Sequence, residues 1–414
     1  MPIGRRRLLQ SAAAAGALPR SKARAAQQTV KIGVLNDMSG PYRDLGGMTN
    51  VNCVRQAVQE FGSRGFEVEV VYADHQNKPD VGVGIARQWL DRDGVDMITD
   101  VPSSAVALAV NEVCREKNKA YVNIGAGTTD LTGRMCAPTT IHWTYDTFML
   151  AKSNGEAMVK LGGDTWYFIT PDYVFGKQLQ RDTSRFITQA GARVLGASVY
   201  PFPGTTDFAS FLTSARASGA KVLGFANAGH DLANCVKQAR EFGLTQEMRL
   251  AALIMYLTDV HGIGLDIAQG MTLTETFYWD LNERTRAFTN RVKNKLANYP
   301  HMGSAGIYAA NLHYLKAVAD LGVAAAKQDG RAVVARMKAM PTDDDCFGQQ
   351  RIREDGLFVC PAFLFQVKSP AESAYPWDCY KLIATTPADE AWEPLAESQC
   401  VLLKPGHAEG RAER

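Results

Sequence analysis

Short apolar runs alternate along this chain with segments whose apolar residues recur at helical spacing. Residues 31–35 (KIGVL) read as a strand, 38–47 (MSGPYRDLGG) as a Gly/Pro turn and 48–61 as a helix. Residues 66–74 (FEVEVVYAD) form the next strand and 80–91 the next helix. A strand at 95–101, a helix to about 117 and a strand at 120–126 follow. Strands separated by helices of this length define a parallel sheet covered on both faces, joined by right-handed crossovers. The alternation restarts after 141–148 (IHWTYDTF). Strands are predicted at 165–170, 193–200, 221–227 and 250–256, with helices at 175–190, 207–218 and 231–242 between them. The second half thus repeats the architecture of the first without a visible sequence repeat. Helices at 282–298, 304–321 and 331–340 come next, and the segments LFVCPAFLFQVK and DCYKLIAT read as strands of a hairpin. At 414 residues the chain exceeds what one core usually serves, so two α/β domains are expected.

The stretch 95–133 organises the rest. Pro102-Ser103-Ser104 breaks the strand, with Ser103 or Ser104 as N-cap of the following amphipathic helix. A helix that starts just past a strand end turns free N–H groups and a positive dipole into the crevice there, a ready seat for a carboxylate. Ala126-Gly127-Thr128-Thr129 sets small residues and two hydroxyls beside the same crevice. By local pattern alone these are either an ordinary cap and loop or the floor of an anion site.

Composition narrows the class. The chain is 46% hydrophobic and 21% charged, and no run of about 18 apolar residues exists to span a membrane. Residues 1–25 stand apart as a signal peptide. Arg5-Arg6-Arg7 precedes a weakly hydrophobic alanine-rich run that ends in Ala23-Arg24-Ala25, an A-x-A cleavage signature. The twin arginine and the basic residues near the cut favour the twin-arginine route. The leader holds six basic residues and no acid, so the +2 of the whole chain less those six leaves about −4 for the mature protein. A mildly acidic chain without a basic stripe is a poor nucleic-acid binder.

Eight cysteines suit an exported protein and include no C-x-x-C pair. Cys53, Cys114 and Cys235 fall in helices and read as buried thiols, while Cys346 with Cys360, and Cys379 with Cys400, are the expected disulfides of the loop-rich tail. There is no G-x-S-x-G elbow, no phosphate-binding loop, no H-E-x-x-H and no dinucleotide fingerprint. The seven histidines lack metal-ligand spacing, so no metal, no cofactor and no enzyme activity are expected.

Ser103-Ser104 and Ala126-Gly127-Thr128, with KIGVLNDMSGPY near the start and REDGLFVCPAFLFQVKSPAES near the end, resemble the solute-binding proteins of the leucine/isoleucine/valine type, receptors for ABC importers. The resemblance implies a two-lobed periplasmic binding protein fold of type I, each lobe a parallel sheet covered by helices, with the ligand in the crevice between lobes. It implies a small carboxylate ligand, permease subunits at the membrane as partners, and a periplasmic location. Residues 26–145 with 281–350 would form lobe 1, 146–280 with 351–404 lobe 2, and 405–414 a disordered tail. The chain would cross between lobes near Tyr145-Asp146, near 278–280 and near 348–353. A ligand-sensing receptor on the same fold is the alternative role.

The same resemblance assigns the rest of the site. Tyr173 and Phe175 match an aromatic-then-glycine turn that covers the ligand, although Phe175 could equally be core. His230 either donates to ligand or caps a helix. Ala228-Gly229 stands where amino-acid binders often carry a tyrosine, which widens the pocket. The glutamate that holds the ligand ammonium in such receptors is missing near Ile254, Met255 and Tyr256, and Asp231 is the substitute to consider. A buried ammonium without a partner costs several kcal/mol. Acids without an α-ammonium, such as aromatic or branched keto acids, are therefore the expected ligands.

Overall fold

In the computed structural model, residues 28–404 are described; the expected signal peptide at 1–25 and the expected tail at 405–414 lie outside them. The first sheet contains β1 (Gln28–Asn36), β2 (Phe66–Asp74), β3 (Met97–Asp100), β4 (Ala120–Asn123) and β5 (Thr140–His142). Their order is β2-β1-β3-β4-β5, and every pairing is parallel. β3 and β4 are buried along their whole length, which is why they read as apolar runs, whereas β2 at the edge alternates. The helices Gly47–Phe61 and Met302–Leu321 pack together, as do Pro79–Asp91 and Ser104–Glu116. Gly33 in β1 lets Trp89 close onto the sheet, since a Cβ there would stand 2.6 Å from the indole ring.

The second sheet begins as expected. β6 (Thr165–Pro171), β7 (Arg193–Tyr200), β8 (Val222–Phe225), β9 (Arg249–Ala252) and β10 (Thr272–Glu275) run parallel in the order β7-β6-β8-β9-β10. β9 stops at Ala252 rather than continuing through Tyr256, which instead begins the helix Leu257–Ile263. β11 (Arg351–Ile352) and β12 (Phe358–Val359) form a small hairpin beside β5, through a bridge from His142 to Leu357. β13 (Ala362–Val367) then adds antiparallel to β10, and β14 (Tyr380–Thr386) antiparallel to β13. The second lobe is therefore mixed rather than all-parallel. Its last two strands arrive from the first lobe on the open edge of β10 and fold back as a hairpin.

Three passages join the lobes. Residues 143–146 link β5 to the helix Thr147–Lys160, and 276–282 link β10 to the helix Glu283–Val292. The third lies at Cys360-Pro361, after 348–353, because the β11–β12 hairpin still belongs beside β5. Thr276 Oγ1 donates to Thr144 O at 3.0 Å and so ties the first two passages together. One continuous apolar cluster runs from Val34 and Ile124 through Tyr145 and Phe277 to Phe168 and Leu179, so the two lobes share a core at the passages. No helix among the described residues is long and apolar enough to cross a membrane.

The cysteines correct the pairing. Cys136 is bonded to Cys400, whereas Cys346, Cys360 and Cys379 are free and buried. Nearness in sequence misled here: the tail leaves β14, crosses the molecule and ends on the first lobe, where Ser398 Oγ also donates to Thr132 O at 3.3 Å. Cys53, Cys114 and Cys235 are buried free thiols in helices, as their positions implied.

Candidate ligand-binding cleft

The site is built where β3 and β4 end. Asp100 and Val101 have φ of +82° and +57°, a conformation that costs a β-branched residue on the order of 1–3 kcal/mol. Asn123 holds the bend in place, with its Nδ2 donating to the carbonyls of Asp100 (2.9 Å) and Val101 (3.1 Å). The bend brings Pro102 against Gly125, so closely that a Cβ on that glycine would stand 2.7 Å from Pro102 Cα. Ser103 then caps the helix Ser104–Glu116 through its backbone alone. The hydroxyls of Ser103 and Ser104 are buried and have no partner, so the side-chain capping that the sequence suggested is not made. Two free hydroxyls at a helix start are what a carboxylate requires.

Thr128 caps the short turn Thr129–Leu131, its Oγ1 accepting from Asp130 N at 3.3 Å, which leaves the hydroxyl hydrogen to donate elsewhere. Ala126 points its methyl into the core behind the sheet, and its carbonyl accepts from His142 Nε2 at 2.6 Å. Burial lowers the pKa of His142 to about 4, so this imidazole is neutral.

The facing lobe supplies aromatic rings. Tyr173 stacks on Phe202 with centroids 4.4 Å apart, and its hydroxyl meets that of Tyr42 across the cleft. Phe175 lies against Gly127, with a ring carbon 2.9 Å from where a Cβ would stand. Tyr145 in the first passage donates to Gly125 O at 2.5 Å and meets Tyr256 edge-on at 6.2 Å. Tyr42, Asn50, Asp100, Tyr145, Phe175 and Tyr256 are among the residues around a cavity of ≈ 20 Å³ at this point. That volume holds about one water, so a carboxylic acid requires the lobes to part and reclose on it. Roomier depressions of ≈ 440 and ≈ 860 Å³ lie elsewhere on the surface, away from these rings.

The structure distributes the sequence-predicted residues over three places. Tyr173, Phe175 and Tyr256 line the cavity. Ser103, Ser104, Ala126 and Thr128 adjoin Pro102 and Gly125, which line it, but do not reach it themselves. The remaining three lie off it. Met255 is buried in the core behind the second sheet. Asp231 accepts from Tyr200 at 2.7 Å and burial raises its pKa to about 6. His230 pairs with Asp44 at 2.6 Å across the mouth of the cleft.

Sequence reasoning passed over Tyr42, Asn50, Asp100 and Glu275. Asp100 had a signal, an acid at the end of an otherwise apolar strand. Burial raises its pKa to about 7 against hydrogen bonds from Asn50 and Asn36. Glu275, at the end of β10, accepts from Leu257 N (3.1 Å), Tyr380 Oη (3.1 Å) and Met302 N (3.3 Å). Asp259 accepts from Tyr256 N at 2.9 Å. Among the described residues no group of three or more His, Cys, Asp or Glu is placed to hold a metal ion.

Two sheets with helices on their faces, joined by three passages around a cleft at the strand ends, define the type I architecture of two-lobed binding proteins. A family model described as periplasmic binding protein matches residues 29–373, and the chain belongs to that family. It is 43% identical to a periplasmic binding protein from Burkholderia mallei, with a TM-score of 0.87, over 91% of this chain and 100% of the other. It is 36% identical to a branched chain amino acid ABC transporter periplasmic ligand-binding protein from Burkholderia xenovorans, with a TM-score of 0.79, over 90% and 99% of the two chains. It is also 24% identical to Leu/Ile/Val-binding protein homolog 3 of Brucella melitensis, over 87% of this chain and 95% of that one.

Proposed function

We propose that the protein is the extracytoplasmic substrate-binding component of an ABC importer of the branched-chain amino acid type. It closes its lobes on a small carboxylate and presents it to membrane permease subunits. The observation that carries the reading is the pair of buried, unpartnered hydroxyls of Ser103 and Ser104 at a helix start beside the cleft. A ligand carboxylate there, with Thr128 donating alongside, would satisfy groups that the protein leaves unpaired. The rings of Tyr173, Phe175 and Tyr256 from the other lobe would cover its apolar body, so that only a ligand touching both lobes favours closure. The name of the Burkholderia xenovorans relative supports the transport role, and that of the Brucella melitensis relative supports the binding of a small acid. The leader at 1–25 supports delivery to the periplasm.

The body of the ligand is aromatic or branched, and the second lobe favours an acid without an α-ammonium. Its buried acids near the cleft are engaged: Asp231 by Tyr200, Asp259 by Tyr256 N, and Glu275 by three donors. A thermal-shift screen of amino, keto, aliphatic and aromatic acids tests the reading, because a ligand that binds only the folded state raises the melting temperature. A rise with at least one small acid is expected. Turnover of a bound acid by the purified protein, or no response to any carboxylate, would overturn it.

A further inference from the structure

Of the residues that line the cavity, two carry a buried side-chain oxygen that the protein leaves unpaired. Asp100 and Asn50 line the cavity, and Asp100 Oδ1 and Asn50 Oδ1 are buried without any hydrogen-bond partner. Their other atoms are committed, since Asp100 Oδ2 accepts from Asn50 Nδ2 (2.9 Å) and from Asn36 Nδ2 (2.5 Å). This arrangement leaves one oxygen of each side chain free: Asn50 Oδ1 is an acceptor at any pH, and Asp100 Oδ1 is one once the carboxyl, whose pKa burial raises to about 7, is ionised. Buried acceptors without donors are rare in folded proteins and destabilise the place where they occur.

We propose that Asp100 and Asn50 form a subsite that reads a hydrogen-bond donor on the ligand next to its carboxylate, so that the cleft takes an α-hydroxy acid in preference to the keto acid of the same skeleton. The inference rests on the carboxylate placement proposed above. The spacing follows from Gly125. A Cβ on this glycine would stand 3.2 Å from Asp100 Oδ1 and 2.7 Å from Pro102 Cα, so its absence lets the free oxygen and the residue before the N-cap Ser103 approach the same stretch of backbone. A ligand with its carboxylate at that helix start presents its α-substituent to Asp100. A hydroxyl there donates to the free oxygen. With Asp100 ionised, a keto oxygen places a third acceptor against two others and is rejected, because sites built around buried polar groups discriminate strongly against ligands that leave them unpaired. An α-ammonium is the other source of the same donor chemistry, with Asp100 ionised as its partner.

Titration calorimetry on the mature protein at about pH 8.5, where Asp100 is ionised, distinguishes these cases. The probes are two matched trios: leucine with its α-hydroxy and α-keto acids, and phenylalanine with phenyllactate and phenylpyruvate. In one trio at least, the hydroxy acid is expected to bind about tenfold or more tightly than the keto acid. Asp100→Asn should narrow or reverse the gap. Its amide oxygen replaces Oδ2 as acceptor for Asn36 and Asn50 and turns an N–H donor toward the cavity. An amino acid that binds as tightly as the hydroxy acid supports the donor subsite and removes the preference against an ammonium proposed for the second lobe. A keto acid that binds wild type as tightly as the hydroxy acid overturns the subsite and leaves the receptor reading intact. So does an equal loss for all three acids in Asp100→Asn, which marks a structural role. No binding by any of the six acids overturns the subsite, and the receptor reading falls with it only when the wider screen of carboxylates is silent as well.

Discussion

Glu275 makes the stability of this protein depend on pH in a direction opposite to that of a salt-bridged carboxylate. Its side chain is fully buried, and burial is the main reason its pKa rises from 4.5 to about 8, with Asp259 adding repulsion. The three hydrogen bonds it accepts pull the other way without compensating. In the unfolded chain the same group releases its proton near its ordinary value. Between the two values the folded state holds a proton that the unfolded state has lost, so stability is full below about pH 4.5 and falls as pH rises toward about 8. At about 1.4 kcal/mol per unit, the loss from this one group between about pH 5.5 and about pH 8 is about 3 kcal/mol. For a chain of this size that lowers the melting temperature by about 4 °C. Glu275→Gln keeps an oxygen for Leu257 N and Tyr380 and abolishes the titration. Differential scanning calorimetry at the two pH values should show wild type losing about 4 °C more than the variant. Asp100, Asp146 and Asp259, each raised to about 7 by burial, leave the variant a smaller fall in the same direction. If wild type and variant lose equally, the carboxyl is not carrying its proton at neutral pH, and Glu275 is not a source of the pH dependence.

Thr128→Val removes the donor beside the helix start and should weaken binding of the best acid from the screen about tenfold or more, since a hydrogen bond to a charged group contributes roughly 1.5–3 kcal/mol; unchanged affinity in calorimetry would move the ligand elsewhere. Tyr173→Phe removes the hydroxyl contact with Tyr42 across the cleft and should weaken binding of the best acid in calorimetry while leaving the melting temperature of the unliganded protein unchanged. Cys136→Ser frees the end of the tail and should make 387–404 sensitive to limited proteolysis, with a loss of roughly 2–5 kcal/mol in denaturant unfolding. Arg5→Lys with Arg6→Lys should trap unprocessed precursor in the cytoplasm, as read by cell fractionation, if export uses the twin-arginine route.

The parts of this fold that were legible in the sequence are those set by local periodicity. β3, β4, β6 and β8 announced themselves as apolar runs between turn residues, and Pro102-Ser103-Ser104 marked the helix start that anchors the site. What escaped depends on contacts between distant segments. The β13–β14 hairpin joins the second sheet only because the chain crosses at Cys360-Pro361, and the partner of Cys400 is 264 residues away. Met255 and Tyr256 are neighbours in sequence, yet one is core behind the sheet and the other a cleft wall, because β9 ends at Ala252 and the chain turns there. Asp100 was visible as an oddity, but its role follows from Asn36 and Asn50, which sit on the first strand and the first helix.

The Cys136–Cys400 bond has a further consequence, for wear. It closes a ring of chain with a sequence separation of 264 that encloses the whole second lobe and both later passages. Exposed turns inside that ring, such as 203–207, are where a protease would cut first. One cut there opens the backbone but does not divide the molecule, because the two pieces remain linked through sulfur and through the core they share. Such a nicked molecule would run as one band on a denaturing gel until reductant is added, and then as two. The bond thus lets the protein keep its parts together after damage that would split an unlinked chain of the same fold.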